Sequence, residues 1–502
     1  MAEHLLDIQR FGGLNFGPQV SPQECGICVN LDDTNAPALR SAYGLESCAL
    51  TGEGTFQGAW VEEGVIRATV RENNLIFEGV SYPLTACNLP RRFLRISRSS
   101  VLILPDRYLF FPEAKRVRPF DNCFTSKGVA ESVIGDGVRV LLDQKPTTAF
   151  SGKVYVSGLN HSYYDEETNP NAKLLWFEVA NVENLANGKC RLSLVAQFRT
   201  EDGSLGYVDT ATTRDFTIRQ VLPELNDAVV CRNRLWGVAG KKLVASKLGA
   251  PMVFDDFSGL STDSFELPME HPLTAVSHFG ERVVFMSKTA LYELYGDRPS
   301  NYQVSAPKVG GCHYPESVCT ADGYLLYADG EHLYRYGGGN PQTITASLEF
   351  PRWSHVFGVS DGNTCLFGLD GRLFRYRPAG NRFFELPFSA TGGLEAEGER
   401  YFFNTSSLVR LTRTRSQAPY HYRSGWCSLG TLAPKELLLY LDGARPQVSL
   451  VTKQETRLLT AMEDRDDGIL RLPFPADLKG RVFAIDLQGV GDACLHRITV
   501  RG

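Results

Sequence analysis

No stretch of this sequence approaches the roughly 18 consecutive apolar residues that a membrane-crossing helix needs, so none is expected. The start, MAEHLLDIQRF, carries acidic residues and lacks a basic stretch followed by an apolar run, so a secretion signal is not expected either. Charge of one sign is also missing. Lys+Arg 52 against Asp+Glu 57 leaves a net charge of −5 over 502 residues, whereas a dedicated nucleic-acid binder would be basic. There is no compact cysteine framework. The 12 cysteines stand singly, and several, such as Cys231 and Cys365, sit in apolar strand-like runs where a reduced thiol acts as a small hydrophobe. Assembly in a reducing cytosol is the expectation. The one CxxC, Cys25 to Cys28, has no second pair and no nearby histidines, so neither a metal nor any other cofactor is expected.

Catalytic patterns are equally scarce. Gly358-Val359-Ser360-Asp361-Gly362 fits GxSxG, but a nucleophile elbow needs a strand before the serine and a helix after it. Here Asp361-Gly362 aligns with the turn Asp322-Gly323 and a strand follows, so a hairpin turn accounts for the match. The nine histidines form no HExxH; His271, His278 and His313 could meet only if folding brought them together, and satisfied core or surface histidines are the plainer reading. No phosphate-binding loop is present, and the acidic run at 463–468 lacks calcium-loop spacing. Asn160 and Asn404 head glycosylation-like triplets, which carry no weight without a secretion signal. Tyr334, Tyr336, Phe374 and Tyr376 could line a sugar-binding groove, but alternate strand positions favour core packing. No enzyme constellation survives, and a non-enzyme is expected.

What is present is turn punctuation and repetition. Short apolar runs are bounded by Asp-Gly, Asn-Gly or Gly-Gly, the pattern of antiparallel hairpins. Leu333-Tyr334-Arg335-Tyr336 returns 40 positions later as Leu373-Phe374-Arg375-Tyr376, each after an Asp-Gly turn, and weaker echoes run from 233 to 411. A small antiparallel sheet cannot bury both its faces alone, and radial stacking of several such sheets solves this. The expectation is an all-β chain: a six- or seven-bladed β-propeller with an inserted β-sandwich domain and a C-terminal β-sandwich. Its parts are an N-terminal arm (1–50), first blades (51–125), the insert (126–225), further blades (226–412) and the terminal sandwich (413–502). One local charge excess stands out as a candidate docking face for an acidic partner or nucleic acid. It comprises Arg91, Arg92, Arg95, Arg98, Arg107, Lys115, Arg116 and Arg118, with a solvated strand face as the plainer reading.

NRLWGVAGKKLVASKLGAPMVFDDFSGLSTDSFELPM, then LYELYGDRPSNYQVS and YGGGNPQTI, resemble β-propeller tail proteins of bacteriophages of Gram-positive hosts. The opening RFGGLN, followed by ECGICVNLDDTNAPALRSAYGL, is similar to the N-terminal arm of that family. More loosely, such proteins are similar to the nozzle or tail-stabilisation subunits of short-tailed phages. The resemblance implies a virion structural role: a homo-oligomeric ring, with a hexamer as first candidate, that extends the DNA channel below the portal and adaptor and holds fibres. DNA would pass without sequence recognition, and near-balanced charge suits a conduit. The resemblance transfers no catalytic residues. Two rival expectations are a distal baseplate or host-binding subunit of a long tail, and a cytosolic ligand-binding propeller or propeller enzyme.

Overall fold

The computed structural model describes residues 4–17, 20–34, 36–49, 54–86, 91–96, 99–104, 108–111, 120–121, 123–134, 137–146, 150, 152–159, 176–196, 210–220, 222–345, 352–412, 414, 417–430, 433–461, 468–478 and 482–502. The fold is all-β and of the β-propeller class. Among the described residues the helical turns are short 3-10 pieces such as Pro315–Ser317, and no helix is long and apolar enough to cross a membrane. The chain forms two compact units. One comprises Met1–Gln57, Val61–Val65 and Lys308–Gly502; the other comprises Gly58–Trp60 and Ile66–Pro307.

Among the described residues, seven antiparallel meanders each follow a path of four strands. The first four run over 56–83, 93–121, 227–268 and 273–304. The fifth runs over 319–343 and the sixth over 356–389; the seventh starts at 392. The turns are those that the Asp-Gly pairs demand. Asp322 and Gly323 (φ 49° and 76°) and Asp370 and Gly371 (φ 47° and 88°) place both central residues in the left-handed region, whose twist matches that of the flanking strands. Inner strands such as Cys365–Leu369 are buried at every position. Stacked blades cover both faces of such strands, so they read as continuous apolar runs rather than alternating ones.

In the unit that includes Ile66–Pro307, Trp60, Phe77, Phe93 and Phe111 pack as one aromatic cluster in blades one and two. The insert follows blade two. It is a closed six-stranded barrel and not the expected sandwich: Cys123–Ile134, Gly137–Leu142, Cys190–Ala196, Phe177–Asn184, Gly152–Ser157 and Arg214–Gln220 pair in that cyclic order. Alternation of apolar and polar residues is the same for both architectures, and closure depends on the long first strand. Cys123–Gly128 pairs with the 214–219 edge, and Gly128–Ile134 with the 137–142 edge. The strand changes partner at Gly128, where a Cβ would lie 2.4 Å from the Leu141 carbonyl oxygen. A bulge follows between Ala130 and Ser132.

In the unit that includes Lys308–Gly502, the N-terminal segment is distributed among the sheets. Strand β1 (His4–Ile8) pairs with Ala493–Arg501. Strand β2 (Cys25–Val29) lies between Arg382–Ser389 of the sixth blade and Pro419–Ser424 of the terminal domain, parallel to the first and antiparallel to the second. It thereby joins blade and terminal domain into one ten-stranded sheet. Strands β3 (Leu31–Asp32) and β4 (Leu39–Ser41) enter the facing six-stranded sheet, and β5 (Gly44–Cys48) completes the seventh blade against Leu408–Thr412. The terminal domain is a sandwich of two sheets, with Leu437, Leu439, Leu450, Ile485, Leu487 and Ile498 buried in one core. The segment expected as an N-terminal arm thus pairs within this unit, because each host sheet has an edge to cover.

Candidate functional site

Of the eight residues expected to form a docking face, the structure describes Arg91, Arg92 and Arg95. Arg91 is 5% exposed and donates to Asn73 Oδ1 (3.1 Å) and to the Thr85 carbonyl (2.5 Å). Gly58 approaches it closely enough that a Cβ there would meet the Arg91 carbonyl oxygen at 2.1 Å. Arg92 pairs with the buried carboxylate of Asp227, which also accepts the Val276 N–H at 2.8 Å. Arg91 is therefore not part of an exposed face, and Arg92 directs its charge into the neighbouring blade. Arg95 is exposed. Arg98, Arg107, Lys115, Arg116 and Arg118 lie outside the described residues.

The Ser360 and Asp361 side chains of the GxSxG segment are both engaged in contacts with the fifth, sixth and seventh blades. Ser360 ends the strand Val356–Ser360, and the next element is the strand Cys365–Leu369. Its hydroxyl donates to the Thr320 carbonyl of the fifth blade and accepts the Gly362 N–H at 2.9 Å. The Gly362 carbonyl in turn accepts the Asp322 N–H at 2.7 Å. Asp361 accepts the Thr364 N–H (2.7 Å) and faces the Arg400 guanidinium of the seventh blade at 3.0 Å. Burial alone would raise the Asp361 carboxyl, but these partners hold it below the ordinary carboxylate value. The hairpin reading of this motif is the one the strands support.

The aromatic positions divide. Tyr336, Phe374 and Tyr376 are buried in the core, and burial pushes the Tyr376 phenol up to about 12. Tyr334 is half-buried, stacks on Tyr327 at 5.4 Å, and donates to Asp329 at 2.9 Å. Core packing thus accounts for three of the four. His271 and His278 belong to one unit and His313 to the other. Among the described residues no three His, Cys, Asp or Glu side chains are placed to hold a metal. Cys25 and Cys28 are fully buried, and desolvation pushes the Cys28 thiol well up. Asn404 accepts the Ser406 and Ser407 N–H groups (3.1 and 2.9 Å) and so shapes a turn. Asn160 and most of the acidic run at 463–468 lie outside the described residues.

Two constellations escaped the sequence. The first anchors the N-terminal segment. Asp32 meets Arg375 at 2.6 Å with both side chains 6% exposed, and Asp33 meets Arg382 at 2.8 Å. Arg375 also donates to Thr34 Oγ1 across 341 positions of sequence, a distance no local pattern reveals. The second orders the long connection at 246–264 in the third blade. Arg234, 3% exposed, donates to the carbonyls of Ser246 (2.7 Å), Ser261 (2.9 Å) and Asp263. So held, the connection receives the barrel: Asp255 accepts the Lys153 N–H at 2.9 Å, and Gln220 donates to the Met252 carbonyl at 2.8 Å. It presents Leu248, Phe257 and Leu260 as exposed apolar side chains. The Arg-Leu-Trp-Gly of the resemblance contains this arginine, and the stretch quoted for it, 233–269, runs through the connection.

A cleft of about 490 Å³ opens beside β5, lined by Tyr43, Leu45, Glu46, Pro387, Thr412 and Gln417 among others.

No family model matches the chain, and no curated protein does. Among solved structures it is similar to a catalytically inactive virginiamycin B lyase from Staphylococcus aureus with quinupristin. The identity is 10% and the TM-score 0.39, covering 74% of this chain and 99% of that one. It is also similar to Hsv2 with one loop replaced (9% identity, TM-score 0.27, 67% and 92% covered). The N-terminal domain of Nup159 is a further match (14%, 0.26, 55% and 94%). At these values the matches say nothing about activity.

Proposed function

We propose that the chain is a structural component of a bacteriophage tail, a nozzle or hub subunit that forms a homo-oligomeric ring, extends the DNA channel and anchors fibres. The observation that carries this reading is the interlocked unit built from both chain ends. Strand β2 makes one continuous sheet of a blade and the terminal sandwich, as suits a part that must transmit load without shearing. The candidate chemistry of GxSxG, the core aromatics and CxxC is spent on packing and turn geometry, in keeping with a scaffold. The sequence resemblance points the same way. The test is mass spectrometry of purified virions with copy number. Several copies per particle, labelled by antibody at the channel end of the tail, are expected. Absence from virions, or a single copy, overturns the ring; label at the distal tip favours a baseplate subunit instead.

The cleft beside β5 supports a second reading, a ligand-binding propeller, since its volume lies in the range of small-molecule sites. A stable monomer that binds a sugar or metabolite, with the affinity lost in Tyr43→Ala, would favour it.

A further inference from the structure

At the seam between the fifth and sixth blades, Cys319 Sγ and Cys365 Sγ lie 2.9 Å apart. Cys319 opens the strand Cys319–Ala321 and is half-buried; Cys365 opens the strand Cys365–Leu369 and is fully buried. Several neighbours fix the approach. Ala321 and Gly362 form a parallel bridge, and the Ser360 hydroxyl holds the Thr320 carbonyl. Gly358 leaves the room the thiol occupies, since a Cβ there would lie 3.0 Å from Cys319 Sγ. A disulfide needs about 2.05 Å between the sulfurs, so less than about 1 Å of further approach is required.

We propose that Cys319 and Cys365 are a redox cross-link site, at which a low-molecular-weight disulfide such as oxidised glutathione joins the two thiols and staples the fifth blade to the sixth. The half-exposed Cys319 is the entry point. Its thiolate attacks one sulfur of the oxidant, forming a mixed disulfide and releasing one glutathione thiolate, which takes up a proton. Cys365 then gives up its proton to solvent, and its thiolate attacks the Cys319 sulfur, expelling the second glutathione. Two protein thiols are oxidised to one disulfide while one glutathione disulfide is reduced to two thiols. Burial of Cys365 raises its thiol well above the ordinary value, which slows the second step. Closing the loop between the two positions restricts the unfolded chain and stabilises the seam.

The test incubates the full chain with oxidised glutathione, quenches by alkylation under denaturing conditions, and maps peptides without reduction. The expected product links the peptides of Cys319 and Cys365, two hydrogens lighter than the free pair, and raises the melting midpoint of the unit by several degrees. Cys365→Ser should instead accumulate a glutathione adduct on Cys319. Should that buried variant fail to fold, Cys319→Ser carries the test: no cross-link and no adduct on Cys365 are expected. Recovery of both cysteines alkylated in the wild-type chain, or a Cys25–Cys28 link with the seam pair still free, overturns the proposal.

Discussion

The barrel and the interlocked N-terminal unit solve the same problem, the covering of sheet edges, in opposite ways. The barrel closes with strands from one contiguous stretch, Cys123 to Gln220, and a single long strand pairs with both edges at Gly128. The other unit covers its edges with the far end of the chain: β5 pairs with 408–412, and β1 with 493–501. Local closure demands one residue without a side chain at the crossing point. Distant closure demands anchors, and Asp32, Asp33, Arg375 and Arg382 supply them. Order is therefore obtained by backbone geometry in one region and by buried charge in the other.

Removing residues 1–48 should have the largest effect. It uncovers edges in three sheets, and the unit containing Lys308–Gly502 should lose its cooperative melt and become sensitive to limited proteolysis while the barrel keeps its protection. Equal protection of both regions would break the contrast. Next, Arg375→Met leaves the Asp32 carboxylate buried without its partner and should cost about 3–5 kcal/mol by denaturant melting. The double variant Asp32→Leu with Arg375→Met should recover most of that loss. Gly128→Val should cost about 1–3 kcal/mol, confined to the barrel in hydrogen exchange, because its Cβ meets the Leu141 carbonyl.

The smallest effect is a pH dependence in the terminal sandwich. Burial would raise the Asp486 carboxyl, but bonds from His421 (2.9 Å) and Arg423 (2.6 Å) hold it below its model-compound value of 3.8. A lowered folded-state value means stability fully present above 3.8 and lost as pH falls through the folded value. Asp486→Asn should lower the melting midpoint by a few degrees near neutrality and flatten its decline in acid. An unchanged acid limb would remove Asp486 as its source.

Much of the blade pattern was legible because hairpins announce themselves locally. The recurring Leu-Tyr-Arg-Tyr and Leu-Phe-Arg-Tyr strands are the third strands of blades five and six, entered through Asp329-Gly330 and Asp370-Gly371, while Asp322-Gly323 turns the first strand of blade five into its second. The GxSxG segment was readable as a turn for the same reason, since its Asp-Gly aligns with that of the preceding repeat. The barrel was not distinguishable from a sandwich, because strands such as Cys190–Ala196 alternate buried and half-buried residues in either architecture. The basic run near Arg91 looked like a surface because composition carries no information on burial, and Arg91 is inside.

The sequence by itself determined the secondary structure class, the period of the blades and the places where the chain must turn. Those are set by φ preferences and by alternation over a few residues, and they need no distant partner. Only the tertiary structure decided which sheets the first fifty residues complete, which arginines meet Asp32 and Asp33, and which two of twelve scattered thiols stand 2.9 Å apart. Those outcomes depend on contacts between residues tens to hundreds of positions apart. Edge pairing and buried charge select such partners by position in space, which a linear pattern does not record.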